Sequence, residues 1–173
     1  MQLAQAPIRL VAIQPRGQGE ALAAHVAALH ATGAHVVLAT WDVPSTTLRE
    51  RLAAAAPGAE PFIIDCMGAG TIGGPRFVGR TMFVESPMMV EKALHRIEAA
   101  SAREAKPAHV VVSSLDALEL YLPPTAVQEW LHALVLRLRS AGVACDVLVR
   151  GGANHAEGHA LRHLFDEAFA RSP

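Results

Sequence analysis

Three groups of residues in this chain have the types and spacing to do chemistry. The first is Gln14-Pro15-Arg16-Gly17-Gln18-Gly19-Glu20-Ala21, which follows the apolar run Leu10–Ile13 and precedes a long Ala-rich stretch. A strand, a glycine loop and a helix start, in that order, build a cradle of backbone N–H groups for phosphate. The full pattern, G-x-x-x-x-G-K-[ST], also needs a lysine on the β/γ-phosphates and a hydroxyl on magnesium. With Gly19 as the second glycine, Gln14 takes the place of the first, Glu20 of the lysine and Ala21 of the hydroxyl. A carboxylate at the cation position repels phosphate, and a methyl group cannot bind a metal. Arg16 is the only cation within the stretch. Two glycines in this order also suit an ordinary strand-to-helix turn.

The second group is Ser113-Ser114, which closes the apolar run Val110–Val112. Ligand sites of open α/β sheets lie beyond such strand ends. Asp116 and several histidines could be imagined as triad partners, but there is no G-x-S-x-G elbow to present a nucleophile. The third group is His155, His159 and His163. At i, i+4, i+8 they would share one face of a continuous helix, where adjacent members could hold a metal. The stretch lacks the H-E-x-x-H pattern, and Gly158 weakens a helix there; a solvated polar face is the plainer reading. Gly68–Gly79, with Arg76 and Arg80, is a further loop that could capture an anion or a partner, or simply lie on the surface.

Alternating strands and helices must position these groups. Ile8–Ile13 is apolar throughout, as a strand buried on both faces should be. A helix over Gly19–Ala31 turns Leu22, Val26 and Leu29 inward and ends at Gly33. The strand His35–Ala39 follows, then a helix starting near Val43-Pro44-Ser45 and stopped by Pro57-Gly58, then the strand Pro61–Asp65. Cys66–Phe83 carries too many glycines for a regular element and is expected to be a long loop with a hairpin near Arg76–Val84. Beyond it come a helix over Met88–Arg103, with Met89, Ala93, Ile97 and Ala100 inward, and the strand Ala108–Ser113. A long helix from Pro123 to Ser140 carries the stripe Val127, Trp130, Leu131, Leu134, Val135, Leu138. The strand Val143–Val149 is next. The tail has helical propensity, with an edge strand around Glu167–Ala170 as the alternative. The alternation predicts a single doubly wound α/β domain over residues 1–173, with a mostly parallel sheet and helices on both faces.

Composition sets further bounds. The chain has 173 residues, 51% of them hydrophobic and 5% aromatic, so Ala, Val and Leu must build the core. A formal net charge of −1 carries no basic stripe and points to no nucleic-acid partner. No apolar run approaches the ~20 residues of a membrane span. Cys66 and Cys145 share no metal-ligand spacing; they are expected to be reduced thiols of a cytoplasmic protein.

Four stretches together resemble a RecA-like domain of the KaiC-like ATPases, of the RecA superfamily. They are the strand–loop–helix at Leu10–Ala31; Val36-Val37-Leu38-Ala39-Thr40-Trp41-Asp42-Val43-Pro44; His109-Val110-Val111-Val112-Ser113-Ser114-Leu115-Asp116-Ala117-Leu118; and Trp130–Gly142 with the end Leu164-Phe165-Asp166. The resemblance spans nearly the whole chain and implies a P-loop-type fold. The departures from the family carry the functional expectation. Glu20 and Ala21 stand at the lysine and Ser/Thr positions. Ser113 stands at the Walker B aspartate, with Ser114 after it. Trp41 and Asp42 stand at the paired glutamates, so one acid is lost, and Trp41 could plug the pocket. Phosphoryl transfer rests on positioning plus electrostatic stabilisation by lysine and metal. The resemblance therefore implies a pseudo-ATPase, expected to need no cofactor and to act through a protein partner or a homo-oligomer in regulation or signalling. The alternatives are an atypical NTPase that still binds ATP and Mg²⁺, and a small-anion or metal-binding module.

Overall fold

A computed structural model describes residues 6–13, 17–68, 77–103, 105–151 and 159–170. The strands are β1 (Ile8–Ile13), β2 (His35–Thr40), β3 (Phe62–Asp65), β4 (Phe77–Val78), β5 (Thr81–Phe83), β6 (Ala108–Ser113), β7 (Ala144–Arg150) and β8 (Glu167–Ala170). The helices are α1 (Gln18–Ala31), α2 (Ser45–Ala55), α3 (Val90–Ser101), α4 (Leu115–Tyr121) and α5 (Pro124–Ala141). The strands form one sheet in the order β4-β5-β3-β2-β6-β7-β1-β8. Every pairing is parallel except the β4–β5 hairpin.

Alternation along each central strand divides the core into two layers. Val11, Ile13, Leu38, Ile63, Val111 and Leu148 pack under α1 and α2, against Leu22, Val26, Leu48 and Leu52. Leu10, Ala12, Val37, Ala39, Val110, Val112, Val147 and Val149 face α3 and α5, against Leu94, Ile97, Trp130, Leu131, Leu134 and Leu138. Because both faces are covered, the strands are continuously apolar. Gly142, at φ 66°, ends α5 in the left-handed region and lets the Val143 N–H reach back to the Leu138 carbonyl at 2.9 Å.

Several local expectations need correction. Met89 is not inward: it is 46% exposed at the start of α3, where Leu94 is buried instead. The short helix α4 has no counterpart in the sequence expectation; it lies between two signals, Ser113-Ser114 and Pro123-Pro124, that suggest a plain loop. The tail takes its strand alternative. Asp166 decides this: its carboxylate accepts the Ile8 N–H at 2.8 Å and the Arg139 guanidinium at 2.6 Å. Its own N–H donates to the Ile8 carbonyl at 2.8 Å, which aligns β8 along β1. Tertiary pairing here overrides a helical propensity.

Cys66 and Cys145 are both buried free thiols. Burial pushes each well above the ordinary thiol range, and the neighbouring Asp65 and Asp146 charges push further; Arg9 opposes this only at Cys145. Protonated, buried thiols are poor nucleophiles. Neither cysteine should react with an aromatic disulfide reagent in the native protein, and both should react once urea unfolds it. Stoichiometric labelling of the folded chain would contradict this packing.

Candidate functional site

The carboxyl ends of β1, β2, β6 and β7 converge on one edge of the sheet. Thr40 and Ser113 are in register on neighbouring strands, and the Trp41 N–H extends that ladder to the Ser113 carbonyl at 2.8 Å. The chain leaving β2 thereby brings Asp42 over the end of β6. The Ser113 hydroxyl donates to Asp42 Oδ1 at 3.1 Å, and Arg150, at the end of β7, places Nη2 3.4 Å from Oδ2. Thr40 Oγ1 lies 3.3 Å from the same carboxylate, but its single proton has a nearer acceptor in the Val43 carbonyl at 2.9 Å. The Asp42 side chain is 6% exposed, and Ser113 and Ser114 are fully buried. Asp116, in the first turn of α4, accepts the main-chain N–H of Arg150 at 2.8 Å and so ties α4 to the end of β7. Ser114 follows Ser113 across a cis peptide bond, and its hydroxyl has no hydrogen-bond partner among the described residues.

The start of α1 is built differently from the sequence expectation. Gly17 has φ 73°, and its carbonyl accepts the Ala21 N–H at 2.8 Å as the first helical turn forms. Glu20 projects outward, 67% exposed, and pairs with Arg51 of α2 at 3.2 Å. The Arg51 guanidinium lies against Gly19 so closely that a Cβ built there would fall 1.5 Å from Nη1. A side chain at 19 would displace the Arg51 guanidinium from this position. Ala21 turns to the α1–α2 layer and packs on it. Gln14 and Arg16 lie outside the described residues. Arg16 is therefore not the only cation to consider: Arg51 reaches this helix end from 31 positions away. Sequence reasoning missed Arg51 and Arg150 because only the packing of α2 on α1, and of β7 beside β1, brings them to this edge.

Trp41 does not plug the edge. It is 1% exposed on the opposite side of the strand end, in the layer under α3 and α5. Its indole N–H donates to the Pro87 carbonyl at 3.1 Å, and its ring meets Trp130 edge-on with centroids 5.4 Å apart. Asp65, at the end of β3, is another acid with a structural role. Its carboxylate accepts the N–H groups of Ser45 and Met67, which caps the start of α2. In the Gly-rich loop, Arg76 lies outside the described residues, and Arg80 brings Nη2 to 3.4 Å from His35 Nδ1. The tail histidines are corrected too. His159 precedes a turn, and residues 162–164 form a short 3-10 helix, so His159 and His163 do not share an α-helical face. His159 Nδ1 instead accepts the Leu161 N–H at 3.2 Å. His155 lies outside the described residues.

A second polar cluster sits near the amino ends of the strands, beneath α1. Asp146 of β7 is fully buried. Arg9 of β1 binds it through two N–H groups, at 2.7 and 2.9 Å. His25 of α1 and His109 of β6 bring Nε2 to within 2.9 and 3.2 Å of the same oxygen, Oδ2. Burial alone would raise the Asp146 carboxyl; the His109 and His25 rings and the Arg9 guanidinium packed against it prevail and hold it well below the usual carboxylate range.

One mostly parallel sheet with helices on both faces, its β1 separated from β6 by a single strand, defines a RecA-like α/β domain. The chain is similar over 95% of its length to a KaiC-like protein of the hyperthermophilic archaeon Pyrococcus horikoshii, with a TM-score of 0.65, 15% sequence identity and 70% of that chain covered. No protein-family model and no curated protein matches the sequence. Among the described residues no helix is long and apolar enough to cross a membrane.

Proposed function

We propose that this chain is a RecA-like domain that does not hydrolyse nucleotide and works through contacts with other proteins, as a regulatory or signalling element. The observation that carries the reading is the self-contained pairing at the carboxyl edge. Asp42 takes the Ser113 hydroxyl and the Arg150 guanidinium, and Glu20 takes Arg51. In the alignment drawn from the sequence, Glu20 occupies the position of the phosphate-binding lysine, Ala21 that of the metal-bound hydroxyl, and Ser113 that of the Walker B aspartate. A nucleotide at this edge would bring its phosphates toward a carboxylate, and magnesium would meet a buried hydroxyl whose proton is already committed. Catalysis of phosphoryl transfer is almost entirely electrostatic positioning, so these exchanges remove its means together.

A domain with a RecA-like fold and no turnover has its surfaces left to act with, either on a second copy or on a relative that retains activity. This step is an analogy from fold. Phosphate release from Mg-ATP, followed with the purified protein at micromolar concentration, should not rise above the buffer rate. Turnover that disappears in an Arg51→Ala variant would overturn the reading and make Arg51 the working cation of an atypical NTPase. Sedimentation velocity over a hundredfold concentration range tests the partner half: self-association would supply the homo-oligomer, and a monomer throughout would direct the reading to a different protein.

A further inference from the structure

We propose that the cavity between the β4–β5 turn and the end of α3 is a binding site for a small carboxylic acid with an apolar body. It lies toward the amino ends of the strands, away from the carboxyl edge, and is independent of what that edge binds. The cavity measures about 350 Å³ and is lined by Phe62, Phe77, Gly79, Arg80 and Arg103. Small-molecule sites begin at about 300 Å³, so there is room for one ring and its acid group. Among the described residues its walls hold two guanidinium groups, two phenyl rings and no carboxylate.

The fold holds each wall in place. Phe62 opens β3 and is buried. Phe77 of β4 meets it with ring centroids 5.9 Å apart and planes tilted by 47°. Beyond the end of α3 the Arg103 N–H turns back to the Ala100 carbonyl at 3.2 Å. The Arg103 guanidinium then sits over both rings, 5.2 Å from each centroid. The ring faces attract the cation and fix its position. Its N–H donors are not consumed: Arg103 makes no hydrogen bond or ion pair among the described residues. Arg80, the last residue of the turn, brings the second cation. Its carbonyl accepts the Ile63 N–H at 2.8 Å, which fastens the turn to β3, and its Nη2 lies 3.4 Å from His35 Nδ1.

The chemistry of these walls selects the ligand. Two guanidinium groups on one cavity repel each other, and an anion between them replaces repulsion with attraction. A carboxylate offers two oxygens at the spacing of the guanidinium fork. A phosphate dianion fits less well. The last carbonyls of α3 put partial negative charge at this end of the helix, and no helix N-terminus among the lining residues supplies N–H groups. Phe77, 43% exposed, and the neighbouring Val78, 53% exposed, offer apolar surface to the body of the acid.

The test is a titration of the isotope-labelled protein with sodium phenylacetate, followed through the Nε–H resonances of Arg80 and Arg103. Both should shift along one saturable curve, with a Kd on the order of 1 mM. Arg103→Ala should weaken binding at least about tenfold, the effect of losing a hydrogen bond to a charged group. Arg103→Lys keeps the charge without the fork and should recover only part of the affinity. Inorganic phosphate should bind more weakly than phenylacetate. The absence of a saturable shift up to about 20 mM phenylacetate would overturn the proposal. So would unchanged binding in Arg103→Ala, or tighter binding of phosphate. If Arg103→Ala does not fold, Phe77→Ala, at an exposed ring, carries the comparison: it keeps both cations and should weaken phenylacetate severalfold, and unchanged affinity there would equally overturn the site.

Discussion

Replacing Asp146 with Ala should destabilise the protein by about 3–5 kcal/mol, the range for removing one partner of a buried charge pair. Removal would leave the Arg9 guanidinium, whose side chain is only 20% exposed, facing two imidazoles with no anion between them. A single domain has on the order of 5–15 kcal/mol in total, so the variant should unfold at a far lower urea concentration or fail to accumulate. Asp146→Asn is the informative companion. It keeps the shape and one acceptor oxygen while removing the charge, and should still lose a substantial part of the stability. A loss below about 1 kcal/mol in Asp146→Ala would mean that the cluster is solvated in solution and that α1 is held by its apolar face alone.

The second large effect is expected at Trp41. Truncation to Ala should cost about 3–5 kcal/mol, because it empties a fully packed site and removes the edge-to-face contact with Trp130. Trp41→Phe should cost less, about 1–2 kcal/mol, mainly by leaving the Pro87 carbonyl without its indole donor. Chemical denaturation of both variants measures this. The direction distinguishes two roles for the residue. A tryptophan plugging a ligand pocket would be nearly neutral to remove and would open that pocket, whereas a core tryptophan under α3 and α5 costs stability and opens nothing at the carboxyl edge.

The layered architecture was legible in the sequence because its signals are redundant. Val110–Val112 and Leu10–Ile13 are continuously apolar, and the stripe from Val127 to Leu138 has helical spacing, so each element declares itself locally. The resemblance to KaiC-like domains added the overall arrangement, and the fold agrees with it. The carboxyl edge was only half legible. Its strand-end residues, Asp42 and Ser113, could be picked out from position. The groups that pair with them could not: Arg150 is 108 residues from Asp42, and Arg51 meets Glu20 only through helix packing. Asp146 was invisible for a related reason. In a run such as Val143–Val149 a single acid resembles a solvent-facing interruption until Arg9, His25 and His109 are brought around it by β1, α1 and β6. The tail misled in the other direction, since it has helical propensity and yet Glu167–Ala170 forms a strand because Asp166 bonds to Ile8.

The most direct measurement of the central claim is titration calorimetry of the purified protein with Mg-ATP and Mg-ADP. A domain whose carboxyl-edge groups are paired with one another should show no binding heat up to millimolar nucleotide. Micromolar binding of either nucleotide would contradict the account: Glu20 and Ser113 would then not disable the edge, and the chain would have to be treated as a nucleotide-binding protein.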